Sequence, residues 1–431
     1  MERSADDIVA MMPRDAFIVC AGLPAAPNEL LRAICRRLPE LGRPTLYCGD
    51  LSGEFAFLNE VPPESYGQLK LLIGGGPVPD APQASVDLSP FSVYETEQLI
   101  ATGRWRVDVC LVTARPPDER GEFVLSPQVA CLKTAAGKAR LVFAEVDATL
   151  PLLCGDTRLG AGAVTAFITV NKPATDAAPS KIGEIHHAIA RRAAGLVPDG
   201  GCIQIGIGSL AEAVLLNLAG HRDLAVHSGF IGEGVMRLMQ KGVVNNARYP
   251  LSPGKVVTGA LLGGRELYEF ADRNDRIEMR SFSHVNNPAV IAQIPNFFAL
   301  NSATAVDLFG QVNAESIGGR VRSGGGGQMD FMPAAHASPE GTAVIALQST
   351  TARGAVSRIV APGALGGPAT CHRNWVDFVV TEHGVADLRG VGFRQRAARI
   401  IEVADPKFRA ELSASLDGVL DERRPTHEGV K

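Results

Sequence analysis

What is missing narrows this sequence first. None of the eight cysteines (Cys20, Cys35, Cys48, Cys110, Cys131, Cys154, Cys202 and Cys371) is spaced as CxxC or stands in a Cys/His group at zinc-ligand spacing. No metal site and no thiol redox pair is therefore expected. The cysteines sit in apolar surroundings and read as reduced core residues of a cytosolic protein. Excess charge is missing too. Lys and Arg number 42 against 46 Asp and Glu, a formal net charge of -4, which gives no electrostatic reason to expect nucleic acid or a membrane surface as partner. No stretch approaches the roughly 18 apolar residues that a membrane span needs. The opening MERSADDIVAMMPRDAF puts acids where a secretory signal has an unbroken apolar core, so a cytoplasmic location is expected. There is no GxSxG, which argues against a serine hydrolase.

What is present is an α/β pattern. Hydrophobic residues make up 46% and charged residues 20% of 431 residues, enough for two domains or three small ones with large buried sheets. Apolar, β-branched runs such as DAFIVCAG, VDVCLVTA and ARLVFAEVD alternate with helical patterns such as PNELLRAICRRLPEL. That alternation implies parallel strands joined by crossover helices. NKPATDAAPSK (171–181) is rich in Pro, Ala and polar residues and reads as a linker, after which the pattern restarts. The expected division is an N-terminal α/β domain over 1–175 and a C-terminal one over 182–431, with no residue-level repeat between them. The end, SASLDGVLDERRPTHEGVK, reads as a surface helix with a frayed tail.

Several places could carry chemistry. Gly206, Ile207, Gly208, Ser209 and Leu210 end a strand and open a helix, where backbone N–H groups can hold a phosphate or a carboxylate, although a plain tight turn reads equally well. Ala211 stands where a dinucleotide fingerprint needs its third glycine, which lowers a Rossmann dehydrogenase reading. RSGGGGQMDF (322–331) is either a floppy loop or a backbone that must pass close to something bulky. Glu145, Glu233 and Glu382 lie at strand ends or turns, where a lone carboxylate is more often a cap or an ion-pair partner than a catalyst. AVHSGFIGEG (225–234) reads as the end of a buried strand opening into a turn that carries His227, Ser228 and Glu233; His284 lies beside another candidate loop.

Taken together, IQIGIGSLAEAVL, GVVNNARYPLSPGKVVTGALLGGRELYEF, VNNPAVIAQ, LNSATAVDLFGQVNAESIG, GGGGQMDF, AVSRIV and DFVVTEHGVADLRG resemble the acetyl-CoA hydrolase/transferase family. Its members include single-chain class I 4-hydroxybutyrate and butyrate CoA-transferases. The N-terminal half matches more loosely, through PPDERGEFVLS and ARLVFAEVD. The resemblance implies two tandem CoA-transferase-type α/β domains with the site between them. It also implies a CoA thioester as substrate, with no permanently bound cofactor, and a homo-oligomer. The turn 206–210 matches the CoA-binding loop, Arg353 a basic residue that meets the CoA phosphates, and Asn286 with the Gly327 N–H the pair that forms the oxyanion hole.

In such enzymes a glutamate attacks the thioester to give an acyl-glutamyl anhydride and then a glutamyl-CoA thioester. Related sequences read HTEM where this chain reads His227, Ser228, Gly229 and Phe230, so the nucleophile falls on Gly229. Glu233 lies four residues on, about one helical turn or 5 to 6 Å away if a helix begins there. Three functions follow as expectations. The first is CoA transfer between an acyl-CoA and a short acid such as acetate, with Glu233 as relocated carboxylate. The second is hydrolysis of the thioester, or of a bond in the acyl chain, by water, with His227, His284 or Glu233 as general base. The third is a non-catalytic CoA-ester binder.

Overall fold

Two sheets wound in the same way account for most of the chain. The computed structural model describes residues 1–22, 25–50, 55–75, 79–172, 180–351, 353–417 and 419–420. The first sheet is built from β1 (Phe17–Cys20), β2 (Thr45–Asp50), β3 (Leu69–Gly75), β4 (Ala84–Leu88), β5 (Val109–Ala114), β6 (Leu141–Asp147) and β7 (Ala166–Val170). Their order is 4-3-2-1-5-6-7 and every pairing is parallel. The second sheet holds β8 (Cys202–Ile205), β9 (Ala225–Ile231), β10 (Val256–Leu261), β11 (Ile277–Met279), β12 (Phe297–Ser302), β13 (Thr342–Ala346), β14 (Phe378–Thr381) and β15 (Gly384–Asp387). Their order is 11-10-9-8-12-13-14-15, parallel throughout except for the β15 edge. Counted from its own first strand, each sheet runs outward to its fourth strand on one side and from its fifth on the other.

The alternation read from the sequence is the cause. Strands covered on both faces must be apolar throughout, and all six residues of β10 are buried. The tandem α/β architecture stands as expected, with the winding repeated although the residues are not. The expected linker 171–181 falls largely outside the described residues, as do the last 11 residues of the expected frayed tail. Ahead of that tail, a helix ends at Ala414.

Five helices position the site. They are α1 (Val93–Ala101), α2 (Ser209–Asn217), α3 (Glu233–Gln240), α4 (Phe282–Val285) and α5 (Gln328–Ala337). The halves are joined by backbone as well as by side chains. Val129 N–H donates to Gly259 O at 2.9 Å, and Leu261 N–H donates to Pro127 O at 3.0 Å. One apolar cluster runs from Val19 and Val112 of the first sheet to Ile203 and Phe298 of the second. Buried Glu97 of α1 accepts from Thr134 Oγ1 and from the backbone N–H of Ser283 in α4. Burial pushes its carboxyl upward, against those hydrogen bonds.

One boundary differs from the sequence reading. β9 does not open into a turn at His227 but continues to Ile231, pairing with β10 at Phe230↔Ala260 and Ile231↔Leu261. α3 then starts at Glu233. His227, Ser228 and Gly229 are thus residues of a central strand.

Candidate active site

The carboxyl ends of the two sheets face a common cleft made of three adjoining chambers. Between β8–α2 and β9–α3 lies a chamber of about 340 Å³, walled by Ile205, Gly206, Ile207, Ser228 and Glu233. Between the halves lies one of about 160 Å³, whose walls include Cys20, Tyr47, Gly74 and Val93 on one side and Phe282 on the other. A third, about 130 Å³, joins them and is lined by Gly229, Asn286, Gly327, Gln328 and Phe331. Phe230 borders all three.

At the first chamber, β8 runs straight into α2. Gly208 holds a φ of +106°, which a side chain would resist. None of the backbone N–H groups of Gly206, Ile207, Gly208, Ser209 and Leu210 finds a hydrogen-bond partner among the described residues. Gly206, Ile207 and Gly208 are exposed. Orphan donors at a helix N-terminus favour an anion, so the anion-binding reading gains over the plain turn. Arg353 is exposed beyond the end of β13, two strands from β8 in the sheet.

The glycine run resolves into separate steric demands. A β-carbon at Gly324 would lie 2.4 Å from Gly74 O and 2.8 Å from Ser89 O, so the backbone does approach something bulky. That something is the main chain of the other half. At Gly327 a β-carbon would lie 2.8 Å from Asn286 Nδ2, so glycine lets the amide and the start of α5 meet. The N–H groups of Gly327 and Gln328 are unpaired among the described residues.

Asn286 follows α4 and is 1% exposed. Its Nδ2 donates to Asp330 Oδ2 at 3.0 Å, which leaves the second amide hydrogen free, and its Oδ1 has no partner. Asp330 Oδ2 also accepts from the N–H of Tyr94, in the first turn of α1, at 3.1 Å. Burial pushes the Asp330 carboxyl up to about 6, against hydrogen bonds from Ser92 and Asn286. Sequence reasoning missed Asp330. The GGGGQMDF motif contained it, but nothing local marked it as the residue that orients Asn286.

The remaining expected residues separate. Glu233 turns away from Asn286, and its Oε1 accepts from Gly264 N–H at 2.7 Å. It walls the first chamber and does not line the third. His227 is fully buried, with Nδ1 at 2.6 Å from Tyr249 Oη and Nε2 at 2.7 Å from Val285 O. Burial pulls its imidazole down to about 4, and with both nitrogens occupied it cannot take a proton from water. His284 is half-buried, its ring centre 5.9 Å from that of His227, and it lines none of the three chambers. Burial and then Arg280 lower its pKa. Glu145 accepts from Leu30 N–H and Lys172, and Glu382 from Ser349. Both are the caps or ion-pair partners that lone carboxylates usually are.

Gly229 faces the third chamber. A β-carbon there would meet Asn286 Oδ1 at 3.6 Å and Phe331 Cε2 at 3.9 Å, ordinary contacts, so a side chain would fit. Among the described residues, no Asp or Glu lines this chamber.

A cleft at the carboxyl ends of parallel strands, with N–H groups unpaired among the described residues and a buried amide beside a glycine, defines an α/β protein of the kind that holds ligands at its strand ends. Residues 263–416 match the family model "Acetyl-CoA hydrolase/transferase C-terminal domain". The chain is 36% identical to the 4-hydroxybutyrate coenzyme A transferase of Clostridium kluyveri over 95% of each chain. Among solved structures, the 4-hydroxybutyrate CoA-transferase of Porphyromonas gingivalis superposes with a TM-score of 0.81 at 31% identity, covering 96% of this chain and 97% of that one. RipA from Yersinia pestis superposes at 0.86 with 27% identity and 97% of each chain. This chain belongs to the acetyl-CoA hydrolase/transferase family, in its branch of 4-hydroxybutyrate- and butyrate-CoA-transferase-like enzymes. The family expected from the motifs is the family found. Among the described residues, no helix is long and apolar enough to cross a membrane.

Proposed function

We propose that the protein transfers CoA between an acyl-CoA and a short carboxylic acid such as acetate. The phosphates and pantetheine arm lie along the turn 206–210 with Arg353, and the acyl chain occupies the chamber between the halves. The thioester carbonyl sits at the junction, where the free hydrogen of Asn286 Nδ2 and the Gly327 N–H receive the oxyanion. The observation that carries this reading is the placement of Asn286 Nδ2 against Gly327, in a chamber continuous with both others. The motif of related sequences puts the attacking glutamate at Gly229, so among the described residues no carboxylate lines the junction, and Asp330 behind it is taken up by Asn286 and Tyr94. Glu233, bonded to Gly264, does not replace it.

The room in front of Gly229 admits water as well, which favours thioester hydrolysis as the second reading. Incubation of the purified protein with butyryl-CoA, with and without acetate, separates the two. Formation of acetyl-CoA only when acetate is present supports transfer. CoA release at the same rate without acetate replaces transfer by hydrolysis.

A further inference from the structure

The third chamber contains two buried polar atoms that nothing among the described residues satisfies. Gln328 is 7% exposed and its Nε2 has no partner; Asn286 is 1% exposed and its Oδ1 has none. Leaving such groups unpaired is costly, and a native structure with two of them in one cavity calls for an occupant. The cavity, about 130 Å³, is several times the roughly 30 Å³ that a water occupies in the liquid. It also lies at the N-terminus of the ten-residue α5, where the N–H groups of the capping Gly327 and of Gln328 are unpaired among the described residues. Of the two orphans, Asn286 Oδ1 is an acceptor and calls for a donor, whereas Gln328 Nε2 and the N–H groups at the start of α5 are donors; with Asp330 turned onto Asn286 Nδ2 and Tyr94 behind the wall, the donor side of the chamber favours a small anion.

We infer that this chamber is the binding site of the acceptor, a short monocarboxylate, and that the acceptor's own carboxylate is the nucleophile. The inference rests on the transfer reading and supplies the attacking group which that reading leaves unassigned. One carboxylate oxygen accepts from Gln328 Nε2, and the other faces the thioester carbonyl across Gly229, where only hydrogen stands. Attack forms a C–O bond to the acyl carbon and breaks its C–S bond, giving a mixed anhydride and CoA thiolate. The thiolate then attacks the acceptor's carbonyl, forming the new C–S bond and breaking the C–O bond to that carbon. The donor acid leaves carrying one oxygen from the acceptor. No proton or electron is gained or lost, and both substrates must be bound together.

The chemistry of oxygen transfer tests this on the unaltered protein. With enzyme in excess over butyryl-CoA and with acetate labelled by ¹⁸O in both positions, the first turnover should give butyrate carrying one ¹⁸O. Initial rates should give intersecting reciprocal plots, and hydroxylamine or borohydride trapping should leave no modified glutamate. Gln328→Leu should raise the KM for acetate about tenfold, the loss of one hydrogen bond to a charged group, with the KM for butyryl-CoA within about twofold. Unlabelled butyrate, parallel plots and label lodged in a protein glutamate would overturn the inference while leaving transfer intact. Hydrolysis of butyryl-CoA with no acetyl-CoA formed at any acetate concentration would remove both.

Discussion

The two halves share a winding and differ at the same edge. In the first sheet the carboxyl ends of β1, β2 and β3 present Cys20, Tyr47 and Gly74, a mostly apolar wall. In the second the corresponding ends carry the N–H groups of 206–210, unpaired among the described residues, and Gly229 looks onto Asn286 and Gly327. A common fold therefore determines where a ligand lies, and the residues at the strand ends decide what each sheet does to it. On the proposed reading, one half measures the acyl group and the other handles its carbonyl and its CoA.

That division can be broken in four ways. The largest effect belongs to Asn286→Ala, which should lower kcat about 10²- to 10³-fold, the usual cost of one oxyanion donor. Steady-state turnover within threefold of the parent would place the chemistry elsewhere. Next, Arg353→Ala should weaken CoA-ester binding by about 1.5 to 3 kcal/mol in titration calorimetry; unchanged affinity removes Arg353 from the phosphate site.

Asp330 sharpens the comparison through pH. Its carboxyl is pushed up to about 6 by burial, so the ionised form that best holds the Asn286 amide is lost as pH falls through that value. Turnover should drop about tenfold from pH 7 to 5, and Asp330→Asn should flatten this limb. The stability effect has the opposite sign. A folded pKa above the ordinary carboxylate value gives stability that is fully present below about 3.8 and is lost as pH rises through about 6. Against Asp330→Asn, which does not titrate, the wild-type melting temperature should therefore match most closely in acid and fall behind as pH rises through about 6.

The smallest effect tests the first sheet's side. Val93, at the start of α1, borders both the acyl chamber and the junction. Val93→Phe should shift the ratio of kcat/KM for butyryl-CoA over acetyl-CoA downward about fivefold, roughly 1 kcal/mol of pocket volume. An equal loss for both thioesters would mean that α1 does not measure chain length.

Much of this was legible in residue order. Apolar runs bounded by turns located the strands, and the two glycine-rich turns marked where backbone is used as a binding surface. The run at 324–327 also signalled a close approach, but not to what, because Gly74 and Ser89 lie more than 230 residues away in the chain. His227 misled for a local reason: small residues after it resemble a turn, whereas pairing with β10 keeps the strand going to Ile231 and buries the ring. Asp330 stayed hidden because its role exists only where α1, the segment after α4 and α5 converge.

That convergence works as a holder. A single carboxylate of the second half holds the Asn286 amide of its own half and the first turn of a helix from the other, so parting the halves breaks its bond to Tyr94 and leaves its bond to Asn286 in place. The amide is thus carried like a tool already set in its holder, and docking of the other half adds one more clamp to the holder without having to set the tool.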